Sequence, residues 1–407
     1  MNSNKTYNKI LFRSIKKNLL HMIIIFLLCF ISIAIVSSIG VLAPKLWLGI
    51  EALEANTPGL YLAYPRNLAS GIDTISFIFP LFFTSVTILV ASVSLTRLID
   101  IERSENGCLV SLGKSKFSIV GKYILIVAIS SILGVIFGLI IGFFAITPLL
   151  FSIISEEFRL PDISAPFPYF GLIVSIIVVV FLLTLTVLLV YRSLLGKPAT
   201  LLRSKPPIKG GKIMLENLGI VWRILPFRYK STLRNILRYR LRFFLTVFSV
   251  LFSSALVFCA VALSFVLALS NPDLTTFIRP ISAVLAIAAV MLNVLVIYNL
   301  TNINIEERSR EIATLKVLGY RNIEVTGYCF REIFILSVFG ILIGLPMGYG
   351  FMVLIFDRLT FGGIEFLNWY NWIITATIAL ASLGLTLALL YKKLHKVDLT
   401  SSLKAID

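Results

Sequence analysis

The sequence predicts an all-α integral membrane protein with eight transmembrane helices in two parallel four-helix repeats. Of the 407 residues, 58% are hydrophobic and only 14% are charged, whereas soluble domains carry about 25% charged residues. Eight segments contain the roughly 20 mostly apolar residues that a membrane-spanning helix requires. A set of glycines also recurs 206 positions further along the chain, which indicates a duplicated structural unit.

The eight apolar segments are separated by segments that carry the charges. They lie at about 18–43, 74–96, 123–150, 169–191, 243–270, 280–301, 332–356 and 371–391. If the amino terminus is inside, 32 of the 37 Lys and Arg residues fall in inside segments and five in outside loops. Because Lys and Arg are retained in short cytoplasmic loops, we expect both termini in the cytoplasm.

The duplication divides the chain into two units in the same orientation. The glycines of the first unit are matched, in order, by those of the second: Gly113, Gly121, Gly134, Gly138 and Gly142 by Gly319, Gly327, Gly340, Gly344 and Gly348. The first repeat is expected at 1–205 and the second at 228–407. Residues 206–227 are rich in proline and glycine and are expected to form a cytoplasmic linker.

Charge and cysteine content exclude several classes of function. The net charge of +17 is expected to contact anionic lipid headgroups rather than nucleic acid, because the basic clusters border spanning segments. Four cysteines and two histidines with no paired spacing predict neither a disulfide nor a metal site.

We also expect an amphipathic helix near 233–241, before the first span of the second repeat.

The most informative pattern is a charged, helix-forming segment between the second and third spans of each repeat. In the second repeat, Ile312, Leu315 and Leu318 have helical spacing and predict an apolar stripe against the inner membrane face. Gly319 follows the last turn, where a helix commonly ends. The residues that form the two segments are Glu102, Arg103, Glu105, Leu109, Leu112 and Gly113, and Glu307, Arg308, Arg310, Glu311, Leu315, Leu318 and Gly319.

The order Glu-Arg-x-Arg-Glu-Ile-x-x-Leu-x-x-Leu-Gly, followed by a glycine-spaced span, resembles the FtsX/MacB-like permeases of ABC transporters. The similarity covers 307–350 and, in degenerate form, 102–143. It implies that the two segments are coupling helices and that each docks on one ABC ATPase subunit. Many members of this family carry a large extracytoplasmic domain after the first span, where this chain has only about 30 residues.

Glycine at every fourth position defines a second pattern in the third span of each repeat. Such a helix face allows another backbone to approach closely. Static packing within one repeat and a sliding interface between the repeats are both open interpretations. The glycines are Gly134, Gly138 and Gly142, and Gly340, Gly344 and Gly348.

The chain is not expected to be an enzyme. Gly107 and the Gly113-Lys114-Ser115 sequence resemble a phosphate-binding loop but have five intervening residues instead of four. No cofactor is therefore expected on this chain, and ATP and magnesium are expected on the partner ATPase. The apolar cores lack ionisable residues except near their ends, which disfavours ion-driven transport. Asn293 and Asn299 are expected to form interhelical hydrogen bonds, with substrate contact as the alternative.

These expectations define a permease subunit of the bacterial plasma membrane. It would couple ATP hydrolysis by a separate ATPase to export or extraction of an amphiphile, lipid or peptide, or to mechanotransmission to a further membrane protein. Two ATPase subunits are expected for one chain. The alternatives are a non-transporting scaffold or signalling module bound to an ABC ATPase, and an ATP-independent secondary carrier.

Overall fold

The computed structural model describes residues 13–56, 63–195, 226–238, 240–270, 272–307, 309–358 and 367–395. These residues form helices and short connections, and no strand occurs among them. In chain order the helices are α1 (Leu19–Asn56), α2 (Ala63–Ile101), α3 (Arg103–Ser111), α4 (Lys116–Ile141), α5 (Thr147–Phe158), α6 (Tyr169–Ser193), α7 (Phe227–Arg238), α8 (Arg240–Ser270), α9 (Pro272–Glu307), α10 (Ser309–Val317), α11 (Asn322–Arg358) and α12 (Trp369–His395).

Eight helical segments within this part of the chain are long and apolar enough to cross a membrane, which confirms the expected all-α fold with eight spans. The third of these spans consists of α4, a π-helical turn at Gly142–Ile146 and α5. Pro148 follows this turn and cannot donate a backbone hydrogen bond, and the Thr147 hydroxyl donates to the Gly142 carbonyl at 2.9 Å. A widened turn next to proline is a common form of local helix adjustment.

The four central helices are α1, α2, α8 and α9. A single apolar core runs through them and includes residues from both halves of the chain. The halves meet where α2 packs against α8 and α9, and where α1 packs against α9. Phe82 of α2 lies at this contact, with its ring centroid 4.3 Å from that of Phe351 and 6.2 Å from that of Phe252. The helices α4, α6, α11 and α12 flank the centre.

The segment 44–73 differs from the expected loop or small hairpin. The helix α1 continues to Asn56 and α2 already begins at Ala63, so most of the segment is helical. At about 1.5 Å per residue, the 38 residues of α1 are about 57 Å long, well beyond the roughly 30 Å of the hydrocarbon core. The indole of Trp47 donates to Asp73 at 2.7 Å and joins the two extensions.

Several ionisable side chains that the sequence places at span ends are buried in the structure. His21, Lys45, Lys122 and Glu332 all have 6% or less of their surface exposed. The ammonium of Lys45 lies 3.9 Å from an Asp162 oxygen and 3.7 Å from the Phe151 ring centroid. The Nε2 atom of His21 in α1 lies 4.0 Å from the Oε2 atom of Glu306 in α9, so these side chains are close neighbours across the contact between the two halves.

The helix α7 occupies the position of the expected amphipathic helix. Ile236 is buried and clusters with Val247 of α8 and Leu336 of α11, so the apolar face of α7 is turned toward the bundle. The linker at 206–227 lies almost entirely outside the described residues.

Candidate functional site

Two short helices, α3 and α10, lie at the same end of the bundle, which is called the basic end here because the segments that meet there carry most of the Lys and Arg residues. The bounds Arg103–Ser111 and Ser309–Val317 are 206 residues apart at both ends. Each short helix follows a central helix, α2 or α9, and precedes a helix with the glycine pattern, α4 or α11. The offset of 206 residues that relates the repeated glycines therefore also relates the two short helices, which occupy equivalent positions in the two halves of the chain.

Both short helices end in the same hydrogen-bonded turn. Gly113 has a φ of 82° and Gly319 a φ of 87°. The amide of Gly113 donates to Val110 and that of Lys114 donates to Leu109, while Gly319 and Tyr320 make the equivalent bonds in the second half. This is the Schellman motif, which places glycine in the left-handed conformation after the last helical turn. The motif ends each short helix abruptly and redirects the chain into the next span.

The turn exposes large apolar side chains beside it. Leu112 is 80% exposed and Leu318 is 74% exposed, and Phe117 and Val317 are also largely exposed. Leu318 therefore does not share the packed face of Ile312, and the expected contact of this stripe with the inner membrane face stays a prediction. Ile312 is fully buried, but α10 ends at Val317 and the turn carries Leu318 away from the packed face.

The remaining side chains of α3 fall on different faces. Leu109 packs partly buried against an apolar cluster. Glu105 forms an ion pair with Lys17, and both side chains are about half exposed, so this pair contributes little to stability. The side chain of Arg103 is half-buried. The described part of the second half does not include Arg308 or the side chains of Glu307, Arg310 and Glu311.

The first short helix is anchored by a buried carboxylate, that of Glu102, whose burial the sequence pattern did not predict. Glu102 joins α2 to α3 and is 0% exposed. Its Oε2 accepts from the Lys122 ammonium at 2.7 Å and from the Tyr123 hydroxyl at 2.8 Å. Its Oε1 accepts from the Asn18 amide at 2.7 Å. Asn106 of α3 completes the cluster by donating to the Tyr123 hydroxyl at 2.8 Å.

The environment of Glu102 favours its charged form. Burial alone raises the pKa of a carboxyl group. The neighbouring Lys122 charge and the hydrogen bonds from Asn18, Lys122 and Tyr123 act in the opposite direction, and the net result is a pKa below the ordinary value. The Glu102 carboxylate is therefore ionised at neutral pH and remains paired with Lys122.

The described residues at the corresponding junction in the second half include an apolar cluster. Ile305, Ile312, Val325 and Leu390 form a buried apolar cluster there. Ile312 stands 206 positions after Asn106, so a buried aliphatic side chain replaces a member of the polar cluster. Leu315 of α10 packs partly buried against the same apolar cluster.

The glycine-lined faces pack within each half and not between the halves. A Cβ at Gly134, Gly138 or Gly142 would lie 2.4–2.9 Å from backbone oxygens of Phe26, Phe30 and Ala34 in α1. A Cβ at Gly344 or Gly348 would likewise lie 2.6 or 2.9 Å from the backbone oxygen of Leu251 or Ala255 in α8, and one at Gly340 would lie 2.8 Å from the Cβ of Val250. The backbones of α1 and α4, and of α8 and α11, thus approach too closely for any side chain.

The two asparagines of α9 have different environments. Asn293 accepts from Ser253 of α8 at 2.8 Å and donates to Ser382 of α12 at 2.7 Å, so it joins three helices as expected. Asn299 is fully buried, and neither polar atom of its side chain has a hydrogen-bond partner in the structure. The described part of the structure therefore does not show the expected interhelical hydrogen bond at Asn299.

Comparison with known proteins identifies the family from these same regions. The family described as FtsX-like permease C-terminal matches two segments, 77–199 and 283–399. Together the two matches cover more than half of the chain, and each includes one short helix and the glycine-lined helix that follows it. Searches of curated proteins and of solved structures found no match to the chain.

Proposed function

The chain belongs to the FtsX-like permease family, and on this premise we propose that α3 and α10 are coupling helices, through which ATP hydrolysis on separate subunits drives movement of the spans. Membership in the family makes the chain a multi-pass permease subunit of an ABC transporter that works with an ABC ATPase. The ATPase would bind ATP and magnesium, and the permease would transmit the motion.

The observation that carries this proposal is the pair of exposed apolar tips at Leu112 and Leu318. Each is more than 70% exposed and adjoins a glycine turn that fixes the end of a short helix. A short helix with an apolar end is suited to insertion into a groove on a partner protein. Burial of an exposed leucine contributes about 1.5–3 kcal/mol to such a contact.

Two such tips on one chain support binding of two ATPase subunits. Under this proposal, residues 1–205 and 228–407 are two permease repeats joined by a linker at 206–227. Both termini and both short helices lie in the cytoplasm of a bacterial cell, with the spans in the plasma membrane. Closure of the ATPase subunits on ATP would move the two tips relative to each other and shift the halves along the α2–α8 and α1–α9 contacts.

An amphiphilic, lipid or peptide substrate is the cargo that we favour for this mechanism. The outward faces of the spans are apolar, as the exposed side chains of α4, α6 and α12 show. The substrate would move by export or by extraction from the membrane. A scaffold that binds the ATPase without transport would need the same tips for that binding. An ATP-independent carrier would not need them, because it would bind no ATPase.

Mechanotransmission is a second candidate, favoured by the extensions of α1 and α2. These extensions are joined by the Trp47–Asp73 hydrogen bond and by the Arg66–Glu54 ion pair. Two linked helices that continue beyond the membrane could carry movement from the basic end to a partner on the opposite side.

The coupling role predicts that polar substitution of both tips releases the ATPase. In the Leu112→Ser/Leu318→Ser variant, the ATPase that copurifies with the chain from native membranes should fall by at least about 10-fold, because each substitution removes a desolvated contact of about 1.4 kcal/mol or more. Each single variant should retain an intermediate amount. The bound ATPase is measured by quantitative mass spectrometry and by ATP hydrolysis of the purified complex.

The matched control is Phe77→Ser in α2. Phe77 is 76% exposed and lies in the half of α2 that is remote from α3, so its substitution should leave the bound ATPase unchanged. Equal copurification of the ATPase with the wild-type chain and with the double variant would contradict the coupling role of these tips.

A further inference from the structure

We propose that Asn299 is a binding residue for the polar group of an amphiphilic ligand, within the contact between the two halves of the chain. The ligand group is neutral and both donates and accepts hydrogen bonds, as a carboxamide does. The inference rests on the proposed function only for the identification of this ligand with the transported substrate.

Asn299 lies on the side of α9 that meets the first half of the chain. Glu306 stands seven residues further along α9, which is about two helical turns and places both residues on the same side. The Oε2 atom of Glu306 lies 4.0 Å from Nε2 of His21 in α1. Asn293 lies about 240° away from Asn299 around the helix and bonds to α8 and α12 of its own half. The two asparagines therefore lie at different contacts, and Asn299 lies at the one between the halves.

The described neighbours of Asn299 along this side of α9 are apolar. Val296 and Ile303, about one turn before and after it, are 0% and 2% exposed. Both belong to the apolar core that also contains Leu28 of α1 and Val90 of α2. Asn299 is itself 0% exposed, and neither polar atom of its side chain has a hydrogen-bond partner among the described residues. Buried polar side chains nearly always have such partners, so the amide of Asn299 is unfavourable in this packing.

The equivalent position in the first half shows that the fold accepts an apolar side chain here. Val93 of α2 stands 206 positions before Asn299, belongs to the same apolar core and is 4% exposed. Packing of the halves therefore gives no reason for an amide at position 299. Departures from polar satisfaction occur in proteins mainly at functional sites, and a ligand that pairs with the amide would account for this one.

The side chain of Asn299 defines the chemistry of the ligand group. Its carboxamide presents an acceptor oxygen and an NH2 donor next to each other. A carboxamide on the ligand presents the same two groups and can pair with both, whereas a ketone can only accept. The nearest ionisable side chain of α9 is that of Glu306, about two turns away, so a charged ligand group would have no counter-charge beside it on this helix. The apolar neighbours suit a hydrocarbon chain.

Entry of a ligand requires the halves to move. In the described packing Asn299 is fully buried, so the site is closed. The shift along the α1–α9 contact that the coupling mechanism proposes would open this side of α9. A ligand that binds the opened arrangement would in turn increase its population.

The effect of each asparagine on stability separates a ligand-binding role from a structural one. In Asn293→Leu, Ser253 and Ser382 each lose a hydrogen bond, and the thermal midpoint of the purified chain should fall by at least about 2 °C. In Asn299→Leu no hydrogen bond within the chain is lost, so the midpoint should stay the same or rise. A fall as large as that in Asn293→Leu would mean that Asn299 has a structural partner, such as a fixed water, and would overturn the proposal.

Binding is measured with two amphiphiles of the same shape, dodecanamide and 2-tridecanone, in which a methyl group replaces the amide nitrogen. Radiolabelled dodecanamide should bind saturably to the purified full-length chain in nanodiscs of phosphatidylethanolamine and phosphatidylglycerol. Both compounds then compete unlabelled, and the potency of the amide relative to the ketone should fall at least about 10-fold in Asn299→Leu, because a hydrogen bond is lost. Partition into lipid cancels in this comparison because the lipid is the same for both chains.

The control for binding is Asn293→Leu, which should keep the wild-type potency ratio because Asn293 faces its own half. Absence of saturable binding to the wild-type chain would overturn the proposal. The same conclusion would follow if the potency ratio were equal in the wild type and in Asn299→Leu.

A second measurement connects the site to transport. In the complex with the copurified ATPase, dodecanamide should raise the rate of ATP hydrolysis, and Asn299→Leu should require at least about 10-fold more of it for the same effect. The variant should retain its bound ATPase because Leu112 and Leu318 are intact. Binding of dodecanamide without any effect on hydrolysis would exclude its role as a transported substrate. Failure of the wild-type chain to bind any ATPase would contradict the proposed function but would leave the binding result intact.

Discussion

The Gly344→Val variant is expected to lose its folded structure in detergent at temperatures at which the wild-type chain is stable. A Cβ at this position would lie 2.0 Å from the Ser254 hydroxyl oxygen and 2.6 Å from the Leu251 carbonyl oxygen. The serine can change rotamer, but the carbonyl belongs to the backbone of α8. The helices α8 and α11 would have to separate, and overpacking of this kind costs about 1–3 kcal/mol, or more for a branched side chain.

The free energy of unfolding should therefore fall by about 3 kcal/mol in Gly344→Val, measured from the thermal midpoint by intrinsic fluorescence and from resistance to trypsin. Gly350→Ala is the matched control in the same helix, because a Cβ at Gly350 meets nothing within 4 Å. Alanine there should be neutral or stabilising by up to about 1 kcal/mol, as expected from helix propensity. A Gly344→Val chain as stable as Gly350→Ala would mean that α8 and α11 do not pack as described.

The Phe82→Ala variant is expected to weaken the contact between the two halves of the chain. Phe82 is 4% exposed, and its ring packs edge-to-face on Phe351 and near Phe252, both in the second half. Truncation leaves a cavity that the surrounding helices cannot fill. Phe→Ala substitutions cost about 3–5 kcal/mol in soluble cores, and we expect about 2–3 kcal/mol here because lipid is itself apolar and the transfer term is smaller.

Association of the two halves is best measured with the chain expressed as two fragments divided within 206–227. Phe82→Ala should reduce copurification of the fragments by about 30-fold or more, which corresponds to 2 kcal/mol. Phe77→Ala removes the same side chain one and a half turns earlier on α2, at a position that is 76% exposed, and should leave copurification unchanged. Equal loss in both variants would show that the effect does not arise from the contact of Phe82 with the second half.

The eight spans and the positions of the short helices could be predicted because both depend on local sequence. Runs of about 20 apolar residues define spanning helices in any membrane protein. A glycine after an amphipathic segment, as at Gly113 and Gly319, marks a helix end because it adopts positive φ without steric cost. Glycines at every fourth position likewise predict that another backbone approaches α4 closely, but they do not identify α1 as the partner helix.

The cluster around Glu102 could not be predicted, because its members come from segments far apart in the chain. Asn18 and Lys122 lie 84 and 20 residues from Glu102, and nothing in one sequence pairs them. Glu102 and Arg103 are adjacent members of the same charged segment, yet Glu102 is buried and Arg103 is only half-buried. The only local signal was the presence of Lys122 and Tyr123 at the start of an apolar span, which has a simpler interpretation as a basic flank.

The different environments of Ile312 and Leu318 could not be predicted for a different physical reason. Helical periodicity places Leu318 on the face of Ile312 and Leu315, but periodicity holds only within a helix. The helix α10 ends at Val317, and the hydrogen bond from the Tyr320 amide to Leu315 closes the turn with Leu318 outside. The end of the helix thus separates Leu318 from the packed face of Ile312 and leaves its side chain exposed.

The central claim is that the ends of α3 and α10 contact an ABC ATPase, and site-specific photo-crosslinking in the native membrane tests it most directly. A photoreactive residue at Leu112 or at Leu318 should each yield a covalent adduct with the same ATPase, and one at Phe77 should yield none. Adducts with lipid alone at both tips, or adducts with the ATPase at Phe77 and not at the tips, would contradict the account.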